Sequence, residues 1–257
     1  FTGGIPEYSA LGARVQVDAT RSYVDHFAAF SRNVNVTAVQ TFTPQATPGA
    51  APAGGRGAGG GAAGGATTER YTFSIAKLPD VPMRPRLADD RVGYFGVTQR
   101  DFSGVTQRVE PRRLISRWRL ECSDVKVGNL CVPKKPITYY LDPATPSWIK
   151  PWIKRGIEDW QVAFEAAGFA KGIVAAEAPS DPDFSGEDAT VSMVRWLPST
   201  TENAVGPSLK DPRTGEILDA DVQTYLNVMN LARSCLSRSG GAARLHEPGT
   251  RCVRRRG

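Results

Sequence analysis

The residues of this 257-residue chain that bear most directly on metal chemistry are its two histidines. The only histidines are His26 and His246, and His246 is followed by Glu247 as in the pattern H-E-x-x-H. In that pattern two histidines on one helical face share a zinc ion, and the glutamate polarises the attacking water. Here Thr250 stands at the second ligand position, and the intervening Pro-Gly pair would break the helix. We therefore assign no catalytic and no metal-binding residue, and we expect His26 to be an ordinary surface or packing histidine.

Two aspartates form the other candidate for acid–base chemistry. Asp219 and Asp221 are two residues apart, so on a strand they would share a face, as a carboxylate pair for glycoside hydrolysis requires. The pattern around Val222 instead favours the start of a helix. Capping of that helix by Asp221 is the preferred interpretation.

The four cysteines fall into two pairs, and no C-x-x-C motif occurs. Cys122 and Cys131 flank the polar segment 123–130 between two strand-like runs, whereas the other two lie in the C-terminal tail. One interpretation is four unrelated thiols. The other is a disulfide between Cys122 and Cys131 across a hairpin, which would indicate an oxidising compartment.

The net charge of +6 is confined to one end of the chain. Residues 233–257 contain seven arginines and one glutamate, and the remaining residues balance to zero. A nucleic-acid-binding face should be built into the folded part, so we expect no nucleic-acid partner. No apolar run is long enough to span a bilayer. The start at Phe1, with no signal-peptide pattern, is interpreted as a processed or fragmentary end.

The N-terminal part alternates as half-buried antiparallel strands do, over residues 13–18, 33–42 and 70–75. Between the last two lies a tract, residues 49–66, made of nine Gly, seven Ala, one Pro and one Arg. It has too little apolar surface to fold, so we predict a flexible insertion at a hairpin tip, which could be deleted with little loss of stability.

The C-terminal part alternates strands and helices. We predict strands at residues 137–141 and 191–197, a long amphipathic helix at residues 147–167 and a second helix from Val222. The long helix carries one apolar stripe that we expect to pack on the core, and Gly168 is well placed to end it in the left-handed conformation. All five tryptophans fall between residues 118 and 196, which predicts the densest core there.

Seven strings of this second part form an ordered set: Arg117–Glu121, Lys134–Pro143, Gly156–Phe169, Val194–Pro198, Gly206–Ser208, Asp211–Ile217 and Asn227–Leu231. They resemble the bacterial zinc-dependent metalloproteases of the met-zincin type, and residues 1–111 resemble the end of the β-rich domain of unknown function that precedes their catalytic domain. The resemblance implies an α+β protein. Residues 1–112 would be the C-terminal part of the accessory domain, and residues 113–232 the first half of a zincin-like mixed sheet with its long backing helix.

The resemblance also carries functional expectations. The complete family member binds zinc through H-E-x-x-H and a further histidine, hydrolyses peptide bonds, and is secreted or periplasmic. No zinc is expected on this chain. The strand bordering the zincin cleft pairs with extended substrate, and its counterpart here would be Asn203, Ala204, Val205, Gly206 and Pro207, although an ordinary loop with a Gly-Pro turn fits those residues equally well.

Two functions remain open at this stage. The first is an inactive fragment of a zinc metalloendopeptidase, with peptide or protein as the substrate of the complete enzyme. The second is a non-enzymatic β-rich binding or structural module of the cell envelope. Helical spacing is lost after Arg233, so residues 233–257 are interpreted as a basic tail that is disordered or frameshifted. The cause would be a frameshift, or a gene-calling error of that type, near codon 233.

Overall fold

The computed structural model describes residues 15–44, 66–102 and 109–238 and divides the chain into two compact units, residues 1–77 and 78–257. The domain boundary suggested by the sequence, at 112/113, falls inside the second unit. Apart from the exposed Ala66, the Gly/Ala tract lies outside the described residues, and so do residues 239–257.

Unit 1 is an antiparallel sheet built around one long strand. Its strands are β1 (Val15–Val17), β2 (Tyr23–Ala29), β3 (Asn33–Pro44) and β4 (Thr67–Ala76). β3 pairs with the other three, and its register with β4 runs from Asn33 opposite Ala76 to Phe42 opposite Thr67. The period-two alternation thus predicted β1, β3 and β4 correctly, whereas β2 was not among the predicted strands. His26 lies on β2 and is exposed.

The described residues of unit 2 include three antiparallel hairpins. They pair β5 (Gly96–Arg100) with β6 (Pro111–Ile115), β7 (Cys122–Val127) with β8 (Leu130–Pro133), and β13 (Ser208–Lys210) with β14 (Ile217–Ala220). The turn between β7 and β8 is Gly128-Asn129, with Gly128 at a φ of 59°. Most of the predicted polar loop 123–130 is therefore strand, because a two-residue turn suffices to reverse the chain.

The centre of unit 2 is a five-stranded sheet in the order β10-β9-β11-β15-β12. Its strands are β9 (Ile137–Leu141), β10 (Ile173–Glu177), β11 (Ser192–Leu197), β12 (Ala204–Val205) and β15 (Val222–Tyr225). The first four in the sheet order are mutually parallel, and β12 is antiparallel to β15 at one end. The strands predicted at residues 137–141 and 191–197 are confirmed.

The connection from β9 to β10 is helical but is not one long helix. It consists of α1 (Lys150–Glu158) and α2 (Gln161–Ala166), separated at residues 159–160 where the Trp160 amide bonds the Ile157 carbonyl three residues back. That tighter turn interrupts the i to i−4 ladder on which a continuous helix depends. Gly168, at a φ of 94°, ends α2 with a bond from the Phe169 amide to the Phe164 carbonyl, as predicted for a left-handed C-terminal residue.

The prediction that a helix begins near Val222 is wrong. Residues 222–225 are β15, which pairs with β11 on one side and β12 on the other, and the helix, α3, covers Val228–Arg238. The apolar residues that suggested a helical period are held extended by strand pairing, which overrides local propensity. Residues 233–238 are helical, so α3 continues past the position where the tail was expected to begin.

The tryptophans do not mark the core as expected. Trp148, Trp152 and Trp160 are each at least 60 % exposed, and Trp196 on β11 is buried. Trp148 and Trp152 lie off the apolar stripe, whose isoleucines 149, 153 and 157 are the better-covered residues. In unit 2 the best-buried large side chains are Leu114 and Leu141. No helix among the described residues is long and apolar enough to cross a membrane.

Candidate functional site

The segment predicted to contact substrate contains the last strand of the five-stranded sheet. In β12, Ala204 lies opposite Thr224 and Val205 opposite Gln223 of β15. Residues 203–207 are all exposed, and the Asn203 side-chain oxygen accepts a hydrogen bond from the Ala204 amide at 2.8 Å. An end strand with an exposed backbone can add an extended peptide through main-chain hydrogen bonds. The structure thus places Asn203–Pro207 where such pairing is possible.

Two long-range bonds hold the loop that leads into β12. The Leu226 amide donates to the Leu197 carbonyl at 3.0 Å, and the Asn227 side-chain amide donates to the Thr200 carbonyl at 3.0 Å. These bonds join the end of β15 to the end of β11 and to the loop after it. The position of β12 is therefore fixed by the residues that follow β15.

The carboxylates of Asp219 and Asp221 are occupied by structural hydrogen bonds. Asp221 accepts from the Met193 amide at 2.9 Å and from Arg195 Nε at 2.7 Å, so it anchors β11 and does not cap a helix. Asp219 accepts from the Ser192 hydroxyl at 2.7 Å, and that hydroxyl oxygen accepts from the Ala220 amide at 3.1 Å. The pair joins the start of β11 to the turn between β14 and β15.

The surroundings of these aspartates alter two pKa values. Burial raises the pKa of Asp219, with a further contribution from the charge of Asp221. Burial also raises the pKa of Tyr139 on β9, to which the same two carboxylates add. The cluster is thus a partly desolvated polar patch beside the sheet, and its hydrogen bonds assign it a structural role.

An apolar pocket of about 280 Å³ lies between the helical connection and the sheet. Its walls include Trp118, Ile137, Tyr139, Ile157, Trp160, Phe164, Ile173, Val194 and Val222. Trp160 at its border is 63 % exposed, so part of this apolar surface faces solvent. Exposed contiguous apolar surface of this kind marks a place where another element or molecule can pack.

The hairpin β7–β8 carries the disulfide between Cys122 and Cys131, whose Cα atoms are 5.5 Å apart. Two further bonds join this hairpin to the end of α2: the Cys131 amide donates to the Gly168 carbonyl at 3.0 Å, and the Ala170 amide donates to the Cys131 carbonyl at 2.9 Å. The cross-linked hairpin therefore braces the C-terminal end of the helical connection.

A buried ionic cluster surrounds the turn between β13 and β14, and sequence reasoning assigned it no role. Asp211 is fully buried, and its carboxylate accepts from the Arg213 amide at 2.8 Å and from Arg213 Nη2 at 2.7 Å. These hydrogen bonds lower the pKa of Asp211. Glu216, also buried, lies 3.1 Å from Arg119 Nη2, and its pKa is raised because it is desolvated.

Backbone geometry fixes that cluster. Gly215 has a φ of 77°, and a Cβ there would lie 2.3 Å from the Ile115 carbonyl oxygen, so only glycine fits. This close approach aligns Arg117 beside Glu216 in a parallel bridge, with the Arg117 amide bonded to the Gly215 carbonyl at 3.0 Å. Two features of the sequence could have indicated this ionic cluster. They are the string Asp211–Gly215 and the arginines at alternate positions 117 and 119.

The described residues define an α+β protein that is rich in strand and contains a mixed sheet with one antiparallel end strand. Residues 5–123 match a family model described as a domain of unknown function, DUF5117. This match agrees with the expectation of a β-rich domain of unknown function in the N-terminal part of the chain. No curated protein and no solved structure matches the chain.

Proposed function

We propose that residues 113–232 form the front half of a zincin-type metalloendopeptidase catalytic domain. The observation that carries the proposal is the sheet: four parallel strands followed by an antiparallel end strand, with a helical connection from β9 to β10. The family strings lie on these same elements, since Lys134–Pro143 contains β9 and Gly156–Phe169 includes α2. A sheet and its backing helix are the part of a zincin that precedes the zinc-binding helix.

The end strand β12 supports a role in holding extended substrate. A peptide lying antiparallel along Ala204 and Val205 would continue the sheet by one strand, with its affinity coming from main-chain hydrogen bonds. Because β12 has two residues, the ladder is short, and further contacts must come from neighbouring surface. In this proposal Asn203–Pro207 position the substrate and take no part in bond cleavage.

The histidines of this chain do not fit the zinc site of that family. His26 lies on β2 of unit 1, and His246 is followed by Pro248 and Gly249, which cannot continue a ligand-bearing helix. Zinc coordination by imidazole requires a neutral ring held in a fixed orientation by its surroundings. We therefore propose that this chain does not hydrolyse peptides and that peptide hydrolysis belongs to the complete family member.

Two measurements test the proposal. Translation of the DNA on both sides of the encoding segment, in all three frames, should give H-E-x-x-H within about a hundred codons downstream. The chain as printed should neither bind zinc stoichiometrically nor cleave casein, whereas the extended chain should cleave casein and lose that activity on addition of a chelator. If no frame contains the motif, the non-enzymatic binding module becomes the better interpretation.

A matched pair of variants tests the end strand separately. With unfolded casein as the probe, hydrogen exchange at Ala204 and Val205 should slow when casein is in excess. Val205→Pro removes one amide and disturbs the ladder, so it should abolish that protection, while Val205→Thr keeps the amide and should retain it. Equal protection in both variants would contradict substrate pairing at β12.

A further inference from the structure

Residues 79–86, here called the strap, form a peptide-like segment held on the surface of unit 2. They belong to no helix or strand, and prolines recur every third residue at 79, 82 and 85. From Asp80 to Arg86 every side chain is exposed except Met83, which is 6 % exposed. The strap therefore has one buried side-chain anchor and an otherwise solvent-facing surface.

The strap is held through its backbone by four side chains, here called the clamp: Arg117, Arg119, Arg213 and Glu216. Its three arginine bonds run from Arg213 Nη2 to the Pro79 carbonyl (2.8 Å), from Arg119 Nη2 to the Val81 carbonyl (2.8 Å) and from Arg117 Nη2 to the Arg84 carbonyl (2.9 Å). The Met83 amide faces the carboxylate of Glu216 and partly offsets the rise of its pKa on burial. Along the strap the carbonyls of Pro79, Val81 and Arg84 thus face cations, and the Met83 amide faces an anion.

Contacts outside the strap also hold the clamp residues in place. Arg117 and Glu216 are joined by the parallel bridge, Arg119 pairs with Glu216, and Arg213 is held by the buried Asp211. Charged donors to carbonyl oxygens make hydrogen bonds stronger than neutral ones. A set of such donors directed at main-chain oxygens is how proteins bind an extended peptide with little regard to its side chains.

Proline supplies the matching property in the strap. Its ring fixes φ, so a segment with proline at every third residue loses less conformational entropy when it is held extended. At the last residue of the strap, the Ile115 amide donates to the Arg86 carbonyl at 3.0 Å, and the chain then continues beside β6. The strap therefore starts and ends on the body of unit 2 and covers the clamp between these points.

We propose that the clamp is a binding site for an extended, proline-rich peptide with one unbranched apolar side chain, and that the strap is its intramolecular occupant. A tethered ligand of this length has an effective concentration in the millimolar range. The wild-type chain thus keeps the site filled, and a free peptide of the same sequence gains access when the strap is weakened. This site is distinct from β12 and does not depend on the proposed protease ancestry.

The test uses a fluorescent peptide with the sequence of residues 78–88 and the full chain carrying Met83→Asp, which places a carboxylate where Met83 is buried beside Glu216. Fluorescence anisotropy should show saturable binding to this variant and at least about tenfold weaker binding to the wild-type chain, a difference of ~1.4 kcal/mol. A peptide with the same Met83→Asp change should not bind. The Arg84→Gln peptide is the matched control and should bind normally, because the clamp contacts the Arg84 carbonyl and not its side chain.

The clamp residues are tested in the same background. Adding Arg119→Gln to the Met83→Asp chain should weaken peptide binding at least about tenfold, since one charge-assisted bond and the pairing of Glu216 are lost. If the Met83→Asp chain keeps its native circular dichroism but shows no saturable binding up to about 1 mM peptide, the proposal fails. Should that variant not fold, Met83→Ala replaces it with the same expected outcomes and the same criterion for failure.

Discussion

Asp211 and Asp219 are carboxylates of one unit whose surroundings shift their pKa values in opposite directions. Asp211 is bonded to the guanidinium of Arg213, which lowers its pKa, whereas burial dominates at Asp219 and raises its pKa. A lowered folded-state pKa gives stability that is present above the ordinary value and lost in acid, and a raised one gives the reverse. The two residues therefore make separate, testable contributions to stability.

Asp219→Asn should remove the part of the pH dependence of stability that comes from Asp219, and the sign of that part follows from its raised pKa. Because the folded state binds the Asp219 proton more tightly, wild-type stability from this group is present below the ordinary pKa and lost as pH rises through the raised value. The unfolding free energy of wild type minus that of Asp219→Asn should therefore fall with increasing pH above about pH 4. Urea unfolding of both proteins at a series of pH values measures this, and a difference that grows with pH would contradict the assignment.

Asp211→Asn should lower the unfolding free energy of unit 2 by about 2 kcal/mol, the scale of a buried hydrogen bond to a charged group. Arg213 is 43 % exposed on its side chain, so solvent screens part of the loss. Asp181→Asn is the control, because the exposed Asp181 carboxylate accepts one bond from the Asp183 amide that an asparagine can also accept. A loss at position 211 no larger than the control would show that the turn does not depend on this charge.

At the scale of elements, the end of α2 has two independent supports. Gly168 adopts a left-handed conformation with open space around its Cα, and the disulfide-linked hairpin bonds the residues on either side of Phe169. The first support is a property of one backbone residue, and the second is a cross-link between two strands. Substitutions can separate them.

Gly168→Ala should destabilise unit 2 by about 1 kcal/mol, because an L-residue is strained in the left-handed region although nothing obstructs its methyl group. Gly156→Ala, inside α1 with equally open surroundings, should stabilise by about 0.5–1 kcal/mol through reduced chain entropy. Thermal unfolding of the two single variants shows whether each change in stability has the expected sign. Stabilisation by Gly168→Ala would contradict the role assigned to that residue.

Replacing Cys122 and Cys131 together by alanine should cost about 2–3 kcal/mol, the chain-entropy value for so short a loop. The loss should be accompanied by faster exchange of the amides at positions 131 and 170, whose bonds link the hairpin to the end of α2. Non-reducing peptide mapping provides the companion measurement. Free thiols at both positions after oxidative refolding would contradict the cross-link.

The local pattern of residues in the sequence predicted some of these elements and could not predict others. The run 137–141 and the glycine at 168 each carry their signal within a few residues, and both were predicted correctly. Val222 was assigned to a helix because its neighbours fit a helical period, but its conformation is set by β11 and β12. The clamp was missed because the bond from Arg213 to Pro79 joins residues 134 positions apart, and local spacing contains no information about such a contact.

At the scale of the whole molecule, exposed aromatic residues are the feature most relevant to behaviour in solution. The three exposed tryptophans lie on or beside the helical connection, and one of them borders the apolar pocket. Exposed apolar surface promotes association unless another element covers it. These tryptophans should therefore lower the solubility of the chain.

Trp152→Ala should reduce aggregation while changing the unfolding free energy by less than about 1 kcal/mol, as for an ordinary surface substitution. Trp152 is 66 % exposed, whereas Trp196 is 9 % exposed, so Trp196→Ala should cost about 3–5 kcal/mol. Light scattering during concentration and urea unfolding of both variants provide the comparison. Equal unfolding costs at the two positions would show that Trp152 is packed against another surface.

The strand order also has a consequence for synthesis on the ribosome. β15 lies between β11 and β12 in the sheet but follows both in the chain, so Ala204 and Val205 leave the ribosome before the strand that will pair with them exists. The 16 residues between Val205 and Val222 take about 1–3 s to translate at ordinary elongation rates. During that interval the hydrophobic strand β11 has no partner on the side where β15 will pair. A chaperone would contribute most in this nascent state.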